Sequence, residues 1–254
     1  APPERNRAGM RMLYPAPAES VDPAVVYSDM PHVDGRPSVR LNMIVSVDGG
    51  TSWNGVSGAL GGAADKALFA VLRSLTDMIL VASGTMRAEQ YGPVVMPPDR
   101  QDERRARGQQ PIPGIAVVSQ RCDFDWSSPF FQAATSRPFI VTVASADAER
   151  RKRAAEVAEV IIAGDDSVDL TAAVAELGAR GAATILAEGG PTLNGELAQA
   201  QLLDELCVSL SPSLASGDAK RLLVGSALDE LTRLELHMIC EADDYLFLRY
   251  RPVR

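Results

Sequence analysis

The sequence predicts an α/β protein with a mainly parallel central sheet, helices on both faces of the sheet, and antiparallel strands added near the C-terminus. Three observations carry that expectation. Apolar runs of strand length alternate with helical stretches from Val39 to Gln201. Several of those runs are uninterrupted, as strands covered on both faces require. The stretch beyond Glu205 is strand-rich, and Asp243-Asp244 mark a turn between its last two strands.

Composition bounds the rest. The chain has 254 residues, 46% of them hydrophobic and 23% charged, which is globular rather than disordered composition and enough for one closed core. Its 25 Lys+Arg against 33 Asp+Glu give a formal net charge of -8, which argues against a nucleic-acid partner. No run approaches the roughly 18 apolar residues of a membrane span, and Ala1 to Ser20 lack the apolar core of a secretory signal, so a cytoplasmic protein is expected. Cys122, Cys207 and Cys240 are odd in number and far apart, the pattern of reduced thiols packed as small hydrophobes. His32 and His237 are the only histidines, so no metal is expected.

In chain order, residues 1–37 carry Pro2, Pro3, Pro15, Pro17, Pro23, Pro31 and Pro37 and read as an extended arm that covers a sheet edge or a neighbouring subunit. One domain, 38–254, follows. Apolar residues at 39, 41, 43, 45 and 47 alternate as in a strand with one buried face, closed by Asp48-Gly49-Gly50. Leu68, Val71, Leu72 and Leu75 give Ala64 to Leu75 a helical stripe, and Met78 to Ala82 is a buried strand. Tyr91 to Pro113, with five prolines and a charged run over Asp99 to Arg107, reads as a long surface loop with room for a solvated helical turn. Strands are expected at Ile115–Val118, Phe139–Val143, Val160–Ile162 and Thr184–Ala187. Helices are expected at Ala146–Ala158, at Val168–Arg180 with Gly181 as the C′ glycine, and at Pro191–Gln201 with proline in the first turn. Glu205–Leu210, Leu234–Cys240 and Tyr245–Tyr250 complete the sheet.

Ligands of such sheets collect beyond the carboxyl ends of the strands, and three strand ends here are unusual. Thr184–Ala187 runs into Glu188-Gly189-Gly190-Pro191-Thr192-Leu193-Asn194. Glycines admit a phosphate to the backbone, and the following helix start offers free N–H groups. This segment has two readings, a pyrophosphate cradle or a plain strand-to-helix turn. It is neither G-x-G-x-x-G nor a P-loop. Glu188 stands beside the cradle as a proton-handling group or a surface carboxylate. The second end is Ser83-Gly84-Thr85-Met86-Arg87-Ala88-Glu89, and the third is Ser46-Val47-Asp48-Gly49-Gly50 with the Asn54 to Gly58 loop.

Taken in order, Arg40 to Gly49, Leu72-Arg73 through Val81 to Glu89, Glu188 to Gly195 and Leu203 to Pro212 resemble the reductase domain of the bacterial deaminase-reductase of riboflavin biosynthesis, across roughly residues 39 to 250. No H-x-E with P-C-x-x-C zinc segment is present, so the resemblance is to the reductase half alone. It implies a dihydrofolate reductase-like fold, a homodimer, NADPH as cofactor, and reduction of the ribosyl group of 5-amino-6-(5-phosphoribosylamino)uracil by hydride transfer to C1′ of its imine form. It also implies that Gly189, Gly190, Pro191, Thr192, Leu193 and Asn194 hold the pyrophosphate, and that Ala59, Gly84, Thr85, Glu89 and Ser119 line the nucleotide. Ser57, Arg73 and Glu188 would face the substrate, and Asp48 and Glu188 are the candidates for catalytic proton handling. The chain departs from the family pattern at Gln90-Tyr91, at Val95 and Met96 where a phosphate-gripping Arg often stands, and at Asn42 where many relatives have Lys. Two further readings therefore stay open: a reductase of another heterocycle such as dihydrofolate, and a non-catalytic NADP-binding relative.

Overall fold

The computed structural model describes residues 9–253; the first prolines of the arm, Pro2 and Pro3, lie outside them. The described part of the arm is not irregular throughout. It forms β1 (Met10–Tyr14), β2 (Ala18–Val21) and the helical turn α1 (Pro23–Val26), capped by the Asp22 carboxylate on the Ala24 N–H at 2.8 Å. Proline is compatible with these strands because Pro15 and Pro17 fall in the turn between them, outside both ladders.

β3 (Ser38–Ser46), α2 (Ala63–Leu75) and β4 (Met78–Ala82) follow as expected, and α3 (Ser83–Ala88) begins directly where β4 ends. The loop predicted over 91–113 contains a nine-residue helix, α4 (Pro98–Ala106). Its charged run is not wholly a solvated face, because Arg104 is fully buried. The Arg104 guanidinium donates to the carbonyls of Ser74 at 3.0 Å and Thr76 at 2.5 Å, while Arg107 reaches Ser74 O and Gln109 reaches Leu75 O. These donors satisfy the last carbonyls of α2 and complement the negative end of its dipole. Burial lowers the Arg104 pKa to about 10.

β5 (Gly114–Val118), the turn α5 (Pro129–Gln132), β6 (Phe139–Thr142), α6 (Ala148–Val157), β7 (Glu159–Ile162), α7 (Leu170–Ala179), β8 (Thr184–Ala187), α8 (Pro191–Gln199), β9 (Glu205–Ser211), β10 (Leu234–Ala242) and β11 (Tyr245–Pro252) complete the chain. Among the described residues the strands form one 11-stranded sheet in the order β2-β1-β10-β11-β9-β3-β8-β4-β5-β6-β7. From β9 to β7 neighbouring strands are parallel, and β11, β10, β1 and β2 add antiparallel beyond β9. The mixed α/β class with helices on both faces is as expected; Glu205 to Ser211 belongs to the parallel part.

Alternation divides the core. Val39, Leu41, Leu80, Val141 and Ile185 pack with α7 and α8, while Ile79, Val81, Val117 and Ile140 face α3, α5 and α6. Leu68 and Leu72 of α2 pack with Tyr27, Leu186, Cys207 and Phe247. β3 is covered on both faces over Ser38 to Leu41, against the one-sided burial its alternation predicts, because Arg40 is buried and pairs with Glu205 at 2.6 Å. Burial pushes the Cys207 thiol up to about 12 and the Cys240 thiol to about 11, so both stay protonated, and all three cysteines are free and buried.

Candidate active site

The two glycine-bearing strand ends meet. Beyond β8 the Glu188 N–H donates to Leu80 O at 2.9 Å, and the Ala82 N–H returns a hydrogen bond to Gly189 O at 2.7 Å, so the ends of β8 and β4 are laced together. Gly189 has φ +89, in the left-handed region that favours glycine, and the Gly189–Gly190 peptide is cis. A Cβ on Gly190 would stand 2.6 Å from the Thr85 hydroxyl. The first turn of α3 therefore approaches the start of α8 only because residue 190 has no side chain.

This contact forms part of the wall of a cleft of about 1050 Å³ beyond the ends of β3, β8 and β4. Gly84, Thr85, Glu89, Gly189, Gly190 and Pro191 lie on it, as do Ser57, Arg73 and Glu188. Glu89 accepts the Ser57 N–H at 2.5 Å and so fixes the Ser57 loop to the end of α3. Glu188 is almost sealed, its side chain 1% exposed, and takes both Arg73 Nε and Nη2 at 2.7 Å in a bidentate pair. The Tyr91 hydroxyl donates to the same carboxylate at 2.8 Å. The Arg73 guanidinium lies 4.4 Å from the Phe69 ring centre and 5.4 Å from that of Tyr91. Burial works against the charge on Arg73, but Glu188 outweighs it and the pKa rises; burial also raises the Tyr91 phenol well above its ordinary range.

Other expected site residues lie elsewhere. Thr192 is exposed, Leu193 is in the core and Asn194 is fully buried with its amide on Leu222 O at 2.9 Å. The helical turn after Pro191 rotates these side chains off the cleft, and Val224 N–H closes on Pro191 O, so the glycine-built wall stops at residue 191. Ala59 is exposed between wall residues Gly58 and Gly61 without itself lining the cleft. Ser119 is buried at the end of β5, beside a smaller depression of about 290 Å³ that Gln120, Arg121, Ser145, Asp147 and Arg150 line. Asp48 is also off the wall. Its carboxylate takes the Ser46 hydroxyl at 2.5 Å and the N–H groups of Ala215 and Ser216 at 3.0 and 2.7 Å, bonds that hold its pKa down to about 2. It ties the 47–51 turn to the 213–220 loop. A carboxylate held that far ionised does not serve as a proton donor near neutrality.

Sequence reasoning missed Asp65, Lys66, Phe69 and Tyr91 on the wall. A signal for two of them existed: Lys66, Phe69 and Arg73 fall at i, i+3 and i+7 of one helix, hence on one stripe. Tyr91 had none, since the turn at Gln90 (φ +52) that brings it back over α2 is not written in the pattern. Among the described residues, no group of three or more His, Cys, Asp or Glu could hold a metal ion. Nor is any helix among them long and apolar enough to cross a membrane.

Comparison with known proteins agrees with this arrangement. A family model described as the RibD C-terminal domain matches residues 37–247. The crystal structure of a pyrimidine reductase-like protein from Corynebacterium diphtheriae superposes with a TM-score of 0.81 at 30% identity, covering 92% of this chain and 100% of that one. A 2,5-diamino-6-ribosylamino-4(3H)-pyrimidinone 5′-phosphate reductase from Methanothermobacter thermautotrophicus is 29% identical over 85% of this chain and 98% of its own length. A reductase of the same name from Archaeoglobus fulgidus is 27% identical over 79% and 92%.

Proposed function

The chain belongs to the RibD C-terminal domain family, and from that membership we propose that it is an NADPH-dependent reductase of a 6-ribosylaminopyrimidine 5′-phosphate. The observation that carries the reading is the approach of Gly190 to Thr85 at the rim of a cleft that also holds Arg73 and Glu188. A pyrophosphate needs such side-chain-free backbone, and a cleft of about 1050 Å³ has room for the reactive ends of cofactor and substrate together.

In this reading the backbone of Gly189 to Pro191, with Gly84 and Thr85, holds the pyrophosphate. The dinucleotide, when bound, supplies a hydride. Arg121 and Arg150, which line the smaller depression, are the cations that would hold a 2′-phosphate and so favour the phosphorylated over the unphosphorylated dinucleotide. Arg73 and Ser57 face the substrate. Glu188 acts as a holding group rather than a proton carrier, because two guanidinium N–H groups and a phenol already occupy its oxygens. Val95 is 78% exposed and Met96 buried, so neither replaces a phosphate-gripping Arg. Lys66 and Lys220 are the wall cations with no ion pair among the described residues, and they are assigned to the substrate phosphate.

Cytoplasmic location and a homodimer belong to the same proposal; free, buried cysteines support the first and family resemblance the second, and sedimentation checks the dimer. The deciding experiment follows NADPH and NADH oxidation with three substrates: the 2,5-diaminopyrimidinone, the 5-aminouracil counterpart and dihydrofolate. Turnover of either ribosylamino compound with NADPH is expected. Turnover of dihydrofolate alone, or of nothing, overturns the reading.

A further inference from the structure

We propose that Asp65 is the acid of the reaction, donating its proton to the ring oxygen of the bound ribosylamino group and so opening the sugar. The inference rests on the substrate class just given and assigns a role within it to a residue that neither the sequence motifs nor the comparisons single out.

The chemistry asks for one proton at one place. In a closed glycosylamine the C1′–O4′ bond breaks and its electron pair stays on O4′. That oxygen takes the acid's proton and becomes the 4′-hydroxyl, while the lone pair of the exocyclic nitrogen forms C1′=N. The acid is left as a carboxylate and recovers its proton from water after product leaves. Reduction at C1′ then needs only the two electrons and hydrogen that a reduced nicotinamide supplies, so no second acid is required. The donor must reach the cleft and must be protonated when substrate arrives.

The carboxyl groups on the cleft wall are Asp65, Glu89, Glu188 and Asp218. Glu188 is saturated by Arg73 and Tyr91, Glu89 accepts the Ser57 N–H, and Asp218 is exposed. Asp48, expected in this role from the sequence, is off the wall. Asp65 is half-buried in the first turn of α2, one turn before Phe69 and two before Arg73, about 12 Å along the axis from the Arg73–Glu188 pair. Among the described residues no Lys or Arg forms an ion pair with it. The neighbouring wall residue Gly61 leaves its carboxyl uncovered, since a Cβ there would lie 2.7 Å from Asp65 Oδ2.

An aspartate in the first turn of a helix ordinarily settles ionised. Here burial raises its pKa, against the opposing pull of the Ser209 hydroxyl from β9 and the charge of Lys66. Tyr245, which packs against Gly62 from β11, spends its hydroxyl on Leu60 O at 2.8 Å.

Ring opening can be watched apart from reduction, because interconversion of the two C1′ anomers passes through the same open form. With the oxidised dinucleotide bound, NMR exchange at C1′ of the 2,5-diaminopyrimidinone substrate is expected to be accelerated by the enzyme. Asp65→Asn should lose that acceleration and turnover together by about 10²–10⁴-fold, and Asp65→Glu should restore part of both. NADPH affinity and thermal midpoint should stay near those of the parent chain. Anomer exchange equal in the parent and in Asp65→Asn, with turnover intact, overturns the assignment and leaves the reductase reading standing. Reduction without any acceleration of exchange by the parent does the same. Failure of the parent to reduce either ribosylamino compound fells the reductase reading, and this inference with it.

Discussion

Two buried arginine–carboxylate assemblies lie under the same face of the sheet, and they do opposite work. In one, Glu205 at the start of β9 is fully buried and meets Arg40 and Arg249 at 2.6 Å and Arg251 at 3.1 Å. Tyr27 of the arm lies beside two of these guanidinium groups, 5.8 Å from Arg40 and 5.5 Å from Arg249, and its carbonyl accepts from Arg40. Asp29, on the same segment, takes Arg249 and Arg251. Its centre, Glu205 with Arg40 and Arg249, is sealed, Arg251 and Asp29 form its exposed rim, and the cluster clamps the N-terminal segment to the sheet. In the other assembly a single Arg73 meets Glu188 on the wall of a large cleft, and its side chain is 23% exposed. The chemistry of the contact is the same. What separates an anchor from a working pair is the empty volume beside it, and that is a property of the fold rather than of the residue types.

The sharpest way to break the comparison is Glu205→Gln. It weakens the pairing of two guanidinium groups held out of water, those of Arg40 and Arg249, and removal of one partner of a buried ion network costs about 3–5 kcal/mol. A fall in thermal midpoint of about 2–4 °C per kcal/mol follows for a domain of this size, with NADPH affinity per folded molecule unchanged. A midpoint within two degrees of the parent would deny the cluster its anchoring role. Next in size is Gly190→Val, which forces a side chain onto Thr85. Its expected signature is a dissociation constant for NADPH raised about 100-fold, near 2.8 kcal/mol, measured by quenching of protein fluorescence. Unchanged affinity would remove the cradle.

Glu188→Gln sharpens the contrast from the other side. Turnover should fall about 10- to 100-fold, about 1.4–2.8 kcal/mol of barrier, while the midpoint moves less than in Glu205→Gln because Arg73 can turn to water in the cleft. A larger loss of stability than of rate would make the two assemblies equivalent. The smallest effect belongs to Asp48. Its folded pKa lies below its unfolded value, so the bracing it provides is complete above pH about 4 and fades as pH falls toward about 2. Asp48→Asn should abolish that loosening, read as hydrogen exchange at Ala215 and Ser216, and leave behaviour near neutrality almost unchanged.

Most of the parallel sheet was legible because its strands are short apolar runs set between turn residues and its helices carry stripes; β4 and β8 fall on the predicted bounds residue for residue. The arm and the Pro-rich stretch were not. β1 is held by β10, distant in sequence, with Met12 opposite Cys240, and β2 pairs only with β1, so the hairpin depends on a partner that leaves no local period. α4 was hidden by its charges, since nothing near Arg104 in the sequence announces the carbonyls of Ser74 and Thr76 that receive it. In the site, Gly190, Thr85, Arg73 and Glu188 were readable from motif order. The motif did not show that the side chains of Thr192 to Asn194 lie off the cleft wall, because only three-dimensional packing says which way a helix turns its side chains.

The clamp on the end of α2 reaches further than capping. That helix carries Asp65 at one end and Arg73 near the other, so it is a ruler laid along one bank of the cleft. Arg104 fastens the ruler from a helix that does not line the cleft. An insertion or deletion between residues 98 and 110 would leave the inventory of wall residues intact and still change their spacing. A change in this outlying stretch would thus reach the cleft of this chain without altering one motif residue.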